Sequence, residues 1–189
     1  MRYKSGYKAE KRQELLDISG QIAKKNGFSA TGVDSFMKAA GVTSGAFYSH
    51  FSSKSDLFKA LIENELQHSL QMWQDNPHQD DAEAWMDFEL NRYLSISHVD
   101  RPDHGCVLPT LASEIARAEI DIKQVYQAEL LRSQHLFMKH LGSEEKAWAV
   151  MCQLVGAILM ARSMADESVK LLILESSKQC IKAMLQKAS

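Results

Sequence analysis

The chain has 189 residues, of which 45% are hydrophobic and 24% charged, with only three prolines and nine glycines. That balance supports a packed core and excludes collagen-like, low-complexity and disordered classes. The net charge of -2 hides an asymmetry: residues 1–60 hold ten Lys/Arg against five Asp/Glu, whereas the remainder holds 12 against 19. A basic head on an acidic body points to a head that meets a polyanion.

Apolar residues recur at three- and four-residue spacing almost throughout, which predicts nine helices and an all-α fold. The first covers about Lys8 to Asn26, with Leu15, Leu16, Ile18, Ile22 and Ala23 on its inner stripe, and Gly27 ends it. The second follows Thr31, which has capping-box spacing to Asp34, and Gly41 breaks it. A short third helix runs from Ser44 to His50. The fourth starts at Ser53 or Lys54, again with capping spacing to Asp56, and ends near Asn76-Pro77. The fifth spans about Asp81 to His98, and Val99 to Gly105 reads as a loop. Helices follow near Leu108 to Arg117, Ile120 to Leu141, Ser143 to Met164 and Glu167 to Lys187.

The most informative stretch is Ala39 to Leu57. Gly41 allows a tight turn, and Val42 plugs the space beneath it. Thr43, Ser44, Gly45 and Ala46 are small or hydroxylic at the start of a helix, so that end can enter a DNA major groove without collision. Phe47 and Phe51, four apart, anchor the short helix to the core. Tyr48, Ser49 and His50 lie on other faces, and Lys54 opens the next helix, where its charge and nearby amides suit a phosphate.

This stretch resembles the signature of the tetracycline-repressor (TetR) family: alanine-glycine-valine, small residues, aromatic-tyrosine, any residue, histidine-phenylalanine, then lysine, an acid and leucine. Gly27-Phe28, Thr31, Val33 and Ala39-Ala40 extend the resemblance, which covers about Leu15 to Leu61. Phe36-Met37 departs from the family's isoleucine-alanine, and Ala46 replaces a frequent hydroxyl residue. The resemblance implies a nine-helix architecture. Residues 1–53 would be a three-helix helix-turn-helix DNA-binding domain. Residues 54–189 would bind ligand and dimerise, with 54–76 as the connecting helix. Thr31, Thr43, Ser44, Gly45, Ala46, Tyr48, Ser49, His50 and Lys54 are the expected DNA contacts, with basic arm residues Arg2, Lys4, Lys8 and Lys11 nearby.

The expected partners are a pseudo-palindromic double-stranded DNA operator, a small-molecule effector and a second copy of the chain; no cofactor or metal is expected. The eighth helix is apolar on nearly all sides and so needs covering on both. Trp148, Met151, Cys152, Val155, Leu159, Ile173, Ser177 and Ile181 are candidates for the twofold interface. Trp85, Phe88, Tyr93, Cys106, Leu111, Tyr126, Phe137 and Met160 are candidate walls of an effector pocket among helices five to eight. Each of these also reads as plain core. A thiol at Cys106, near a helix start, would react with electrophiles or oxidants if its pKa were lowered.

Three cysteines, with no Cys-x-x-Cys pair, fit neither a disulfide framework nor a zinc site. Met1-Arg2-Tyr3-Lys4 begins no apolar signal core, and the run from Ala147 to Ala161 is too short to span a bilayer, so a cytoplasmic protein is expected. No Gly-x-Ser-x-Gly elbow, phosphate-cradling glycine loop or His-Glu-x-x-His motif is present. The reading is therefore a non-enzymatic repressor released from its operator by a small molecule. The alternative is a helical protein-interaction module without specific DNA binding.

Overall fold

The computed structural model describes residues 6–186, apart from the side chain of Ser44. The arm residues Arg2 and Lys4 lie outside the described residues. Among the described residues ten α-helices follow in order: α1 (Tyr7–Asn26), α2 (Val33–Ala39), α3 (Ser44–Phe47), α4 (Lys54–Gln74), α5 (Ala82–Tyr93), α6 (Ile96–Asp100), α7 (Leu108–Ile115), α8 (Ile120–Leu141), α9 (Glu144–Arg162) and α10 (Glu167–Gln186). A 3₁₀ turn, Pro102–His104, separates α6 from α7. No described helix is long and apolar enough to cross a membrane.

The tenth helix arises because the expected fifth helix is broken. Leu94 leaves helical geometry at φ -87°, ψ 67°, and Ser95 then caps α6 by accepting from the His98 N–H at 3.3 Å. A serine within an otherwise periodic run restarts the helix in a new direction. The expected cap at Thr31 is also absent. Gly32 occupies the N-cap of α2, and the Thr31 hydroxyl is turned back to donate to the Gly27 carbonyl at 2.7 Å. Ser53 does cap α4, accepting from the Asp56 N–H at 3.0 Å. Ser143 caps α9 by accepting from the Lys146 N–H at 3.3 Å.

Two clusters of buried side chains hold the chain together. The first joins Leu15, Phe28, Phe36, Phe47, Phe51, Phe58 and Leu61 with Val107, Leu111 and Ile115, so α7 is built into the same core as α1–α4. Phe28 stacks on Phe58 at 4.2 Å and on Phe36 at 5.4 Å. The second gathers Trp73, Trp85, Tyr93, Phe137, Val150, Leu154, Ile158 and Leu174. Burying side chains of this size contributes about 1.5–3 kcal/mol each. The long α4 contributes to both clusters and so runs from one to the other.

Candidate nucleic-acid interface and cavity

The α2–α3 turn follows from residue choice. Gly41 sits at φ 67°, a left-handed conformation that favours glycine, and the Val42 N–H then closes back on the Met37 carbonyl at 3.0 Å. Phe47 and Phe51 are wholly buried, which fixes α3 against the core. The rest of the segment faces out. Tyr48 is 69% exposed, with its ring edge-on to Phe47 at 5.0 Å. Thr43 and Gly45 are exposed, Ala46 is half-buried, and Thr43 occupies the N-cap position without using its hydroxyl to cap. The exposed Ser49 donates to the Ala46 carbonyl at 2.6 Å.

The remaining expected contacts are partly engaged inside the protein. Thr31 is buried. His50 is half-buried, and its Nδ1 has no partner among the described residues. Burial and then the charges of Lys8 and Arg12 lower its pKa. The Arg12 guanidinium lies 4.7 Å over the Phe51 ring, so α1 brings positive charge to the same face. The Lys54 ammonium donates to the Ser29 carbonyl at 3.1 Å and lies 5.1 Å from the Phe28 ring centre. Lys54 thus ties the head's loop to α4 while remaining half-buried at the surface.

A cavity of about 250 Å³ opens between α4, α5, α6 and the segment leading into α7. Its wall includes Ser69 and Trp73 of α4, Tyr93 of α5, His98 of α6, and Cys106. A second void of about 30 Å³, enough for roughly one water, lies behind the shared wall of Trp73, Tyr93 and Cys106 and is lined by Phe137 and Leu154. Of the expected pocket residues, Tyr93, Cys106 and Phe137 are therefore brought together. Trp85 lies one layer behind, edge-on to Phe137 at 5.1 Å and stacked on His140 at 4.2 Å. Tyr126 is half-buried and lines a separate cleft with Trp148. Leu111 belongs to the first core cluster. Phe88 is 39% exposed and Met160 58% exposed.

The segment 98–106 is held by polar side chains. His98 Nδ1 donates to the Tyr93 carbonyl at 2.8 Å, and its Nε2 accepts from the Cys106 N–H at 3.0 Å. Both nitrogens are used by the neutral ring, and burial pushes the pKa down to about 4, aided by Arg162, Arg92 and Lys24. Arg162 reaches from α9 to the His98 carbonyl at 2.8 Å, the Val99 carbonyl at 3.3 Å and the Thr110 hydroxyl at 3.0 Å. Cys106 is 6% exposed. The helix-start effect expected to lower its pKa is outweighed: α7 begins two residues later, and burial raises the thiol. Burial, with Cys106 beside it, likewise raises Tyr93 well above the ordinary phenol value.

Two links join the segment around this cavity and α7 to the first helix and the turn after it. Lys24 of α1 pairs with Glu65 of α4 at 2.8 Å and donates to the Gly105 carbonyl at 3.1 Å. Glu114, at the far end of α7, accepts from the backbone N–H groups of Phe28 at 2.9 Å and Ser29 at 2.7 Å. Lys24, Glu65 and Glu114 belong to no motif in the sequence. Lys24 and Glu65 fall on the inner stripes of their helices, at opposite charge. Gly20, whose Cβ would overlap the Glu65 carboxylate, makes room for the pair. Those charges on apolar stripes were the available signal. Glu114 left none, because its partners, two backbone N–H groups and the Ser29 hydroxyl, are distant in sequence and form no recognisable pattern with it.

On α9 and α10, Leu159 is 51%, Leu171 44% and Leu172 65% exposed, and Cys152 is exposed. Trp148, Val155, Ile173 and Ser177 are half-buried, Met151 is 7% exposed, and Ile181 is wholly buried within the chain.

Residues 15–61 match the family model described as bacterial regulatory proteins, tetR family. Over 54 residues the chain is 46% identical to the HTH-type transcriptional regulator AcrR of Shigella flexneri, covering 29% of this chain and 25% of that one. The chain thus spans about a quarter of the length of that curated relative. The whole fold is similar to a TetR-family transcriptional regulator from Agrobacterium tumefaciens, with TM-score 0.78, 18% identity and coverage of 95% and 98% of the two chains. It is also similar to the reduced form of E. coli NemR, with TM-score 0.76, 21% identity and coverage of 92% and 96%. Residues 15–61 thus carry the sequence likeness to the tetR-family regulators, and the whole chain shares the fold of the two solved structures.

Proposed function

We propose that this chain is a ligand-responsive, DNA-binding transcriptional repressor that acts in the cytoplasm as a homodimer. Residues 1–53 serve as its DNA-binding domain. Residues 54–189 bind effector and dimerise, with 54–76 connecting the two. The observation that carries this reading is the two-sided construction of α3. Phe47 at its end and Phe51 just beyond it are buried and anchor it, while Thr43, Tyr48 and Ser49 beside it are exposed. A rigid short helix with an exposed hydroxyl-rich end suits a major groove.

The exposed apolar strip of α9 and α10 supports a twofold pairing, which would set two such helices at a fixed separation. An effector in the cavity acts on that separation through two routes: Lys24 on the Gly105 carbonyl, and α7 with Glu114 on the Phe28–Ser29 backbone. DNA favours one half-site spacing and effector the other, so each weakens the other's binding. A covalent signal at Cys106 is a narrower version of this reading. With the thiol buried, an electrophile has to enter the cavity first. Cys106→Ser then abolishes electrophile-driven release, and unchanged release in the variant rejects the covalent version.

Selection of bound fragments from a random-sequence DNA pool by the full chain tests the main reading. Recovery of an inverted repeat, with half-sites about one helical turn apart or a multiple of it, is the expected result. A pool that never departs from random sequence refutes it.

A further inference from the structure

The charges around the cavity do not balance, and the imbalance names a class of ligand. Around it most carboxylates already have cationic partners: Glu65 is paired with Lys24, Glu89 with Arg92, and Asp100 with Lys170. Asp103 is turned to the His104 ring at 3.5 Å. Two guanidiniums are left over. Arg162 is half-buried behind the Gly105 wall, and its hydrogen bonds go to two carbonyls and a hydroxyl, none of them charged. A Cβ at Gly105 would come within 3.0 Å of that guanidinium, so little separates it from the cavity. Arg101 stands exposed at the mouth. No Asp or Glu lines the cavity. Burying a guanidinium without a counter-charge is costly, and an anion beside it offsets that cost.

The floor is aromatic. Trp73 and Tyr93 stack at 5.5 Å and both face the cavity, and the Arg92 guanidinium covers Trp73 at 4.6 Å. At about 250 Å³ the space is near the small end of ligand pockets. We infer that the cavity takes a small aromatic carboxylate, its ring against Trp73 and Tyr93 and its charge drawn by Arg101 and Arg162. This rests on the regulator reading only in calling the ligand an effector; the binding itself does not require DNA.

The test compares 2-naphthoate with its uncharged isostere 2-naphthamide, titrated into the full chain and followed by tryptophan fluorescence. Wild-type protein is expected to bind the carboxylate at least tenfold more tightly than the amide. Arg101→Gln, at an exposed side chain, is expected to cut that preference at least threefold and leave amide binding unchanged. Ser97→Phe, which fills the mouth, is expected to abolish binding of both. Equal affinity for the two probes, binding of neither up to millimolar concentration, or a preference untouched by both substitutions overturns the inference. DNA affinity measured on the same samples separates the two readings. DNA binding without carboxylate preference sinks this inference alone. Carboxylate preference without DNA binding upholds it and sinks the regulator reading.

Discussion

The head and the cavity region of this chain use opposite designs. In the head, every large side chain of α3 that packs is apolar, and the polar ones face out, so its surface chemistry is independent of its stability. Around the cavity, polar groups are buried or half-buried and each holds a piece of backbone: His98 the Cys106 N–H, Arg162 the His98 carbonyl, Lys24 the Gly105 carbonyl. Apolar packing tolerates little movement but carries no signal. A hydrogen-bonded segment can exchange partners when a ligand arrives. On the proposed function, rigidity lies where DNA would be read and exchangeable bonds where a signal would be received.

The sharpest way to break this contrast is to strike each design at its centre. Lys24→Met leaves Glu65 buried and unpaired, and the expected loss is about 3–5 kcal/mol in urea unfolding. Lys24→Met with Glu65→Leu restores most of that stability while cutting the link to Gly105, so the double variant folds and its DNA binding responds less to effector. Phe47→Ala costs about 3–5 kcal/mol through lost burial and a cavity, and it weakens DNA binding in the same step. Recovery of stability by the double variant, with none available to Phe47→Ala, would confirm that the two regions are held by different forces.

The next effect is smaller and depends on pH. The folded chain keeps His98 neutral down to about 4, whereas the free side chain titrates at 6.5. Between those values the unfolded state binds more protons. Stability is therefore complete above pH 6.5 and falls toward pH 4, by about 1 kcal/mol per pH unit. His98→Gln flattens that slope, and an unchanged slope would show that another group sets it. The smallest stability effect is Tyr48→Ala, expected within about 0.5 kcal/mol at so exposed a position. The same change should weaken DNA binding at least fivefold. Equal losses of stability and affinity would erase the distinction between packing and reading.

What the sequence disclosed follows the same divide. Helix α8 was legible to the residue, from Ile120 to Leu141, because no residue breaks it and Gly142, at φ 68°, ends it. The helix-turn-helix was legible because Gly41, Val42, Phe47 and Phe51 each carry a local constraint. The break at Leu94–Ser95 was not, since Ile96 and Val99 continue a helix-like period across it. Thr31 showed capping spacing, yet its hydroxyl serves the Gly27 carbonyl, a choice set by the preceding turn. The cavity was the least legible part. Large apolar residues on a buried face read alike whether they line a void, as Tyr93 does, or fill a core, as Trp85 and Leu111 do. The polar residues that shape it act on backbone groups, which leave no spacing pattern: Lys24 and Arg162 reach carbonyls more than 60 residues away, and His98 bridges Tyr93 and Cys106 across a loop.

The most direct measurement is fluorescence anisotropy of the full chain on DNA from upstream of its own coding sequence, across a salt series and against unlabelled competitor. Tight, competitor-resistant binding whose affinity falls steeply with salt is predicted, with Lys54→Gln lowering the slope of log affinity against log salt by about one. Binding that competitor removes equally from every fragment, or affinity indifferent to salt, would contradict the account.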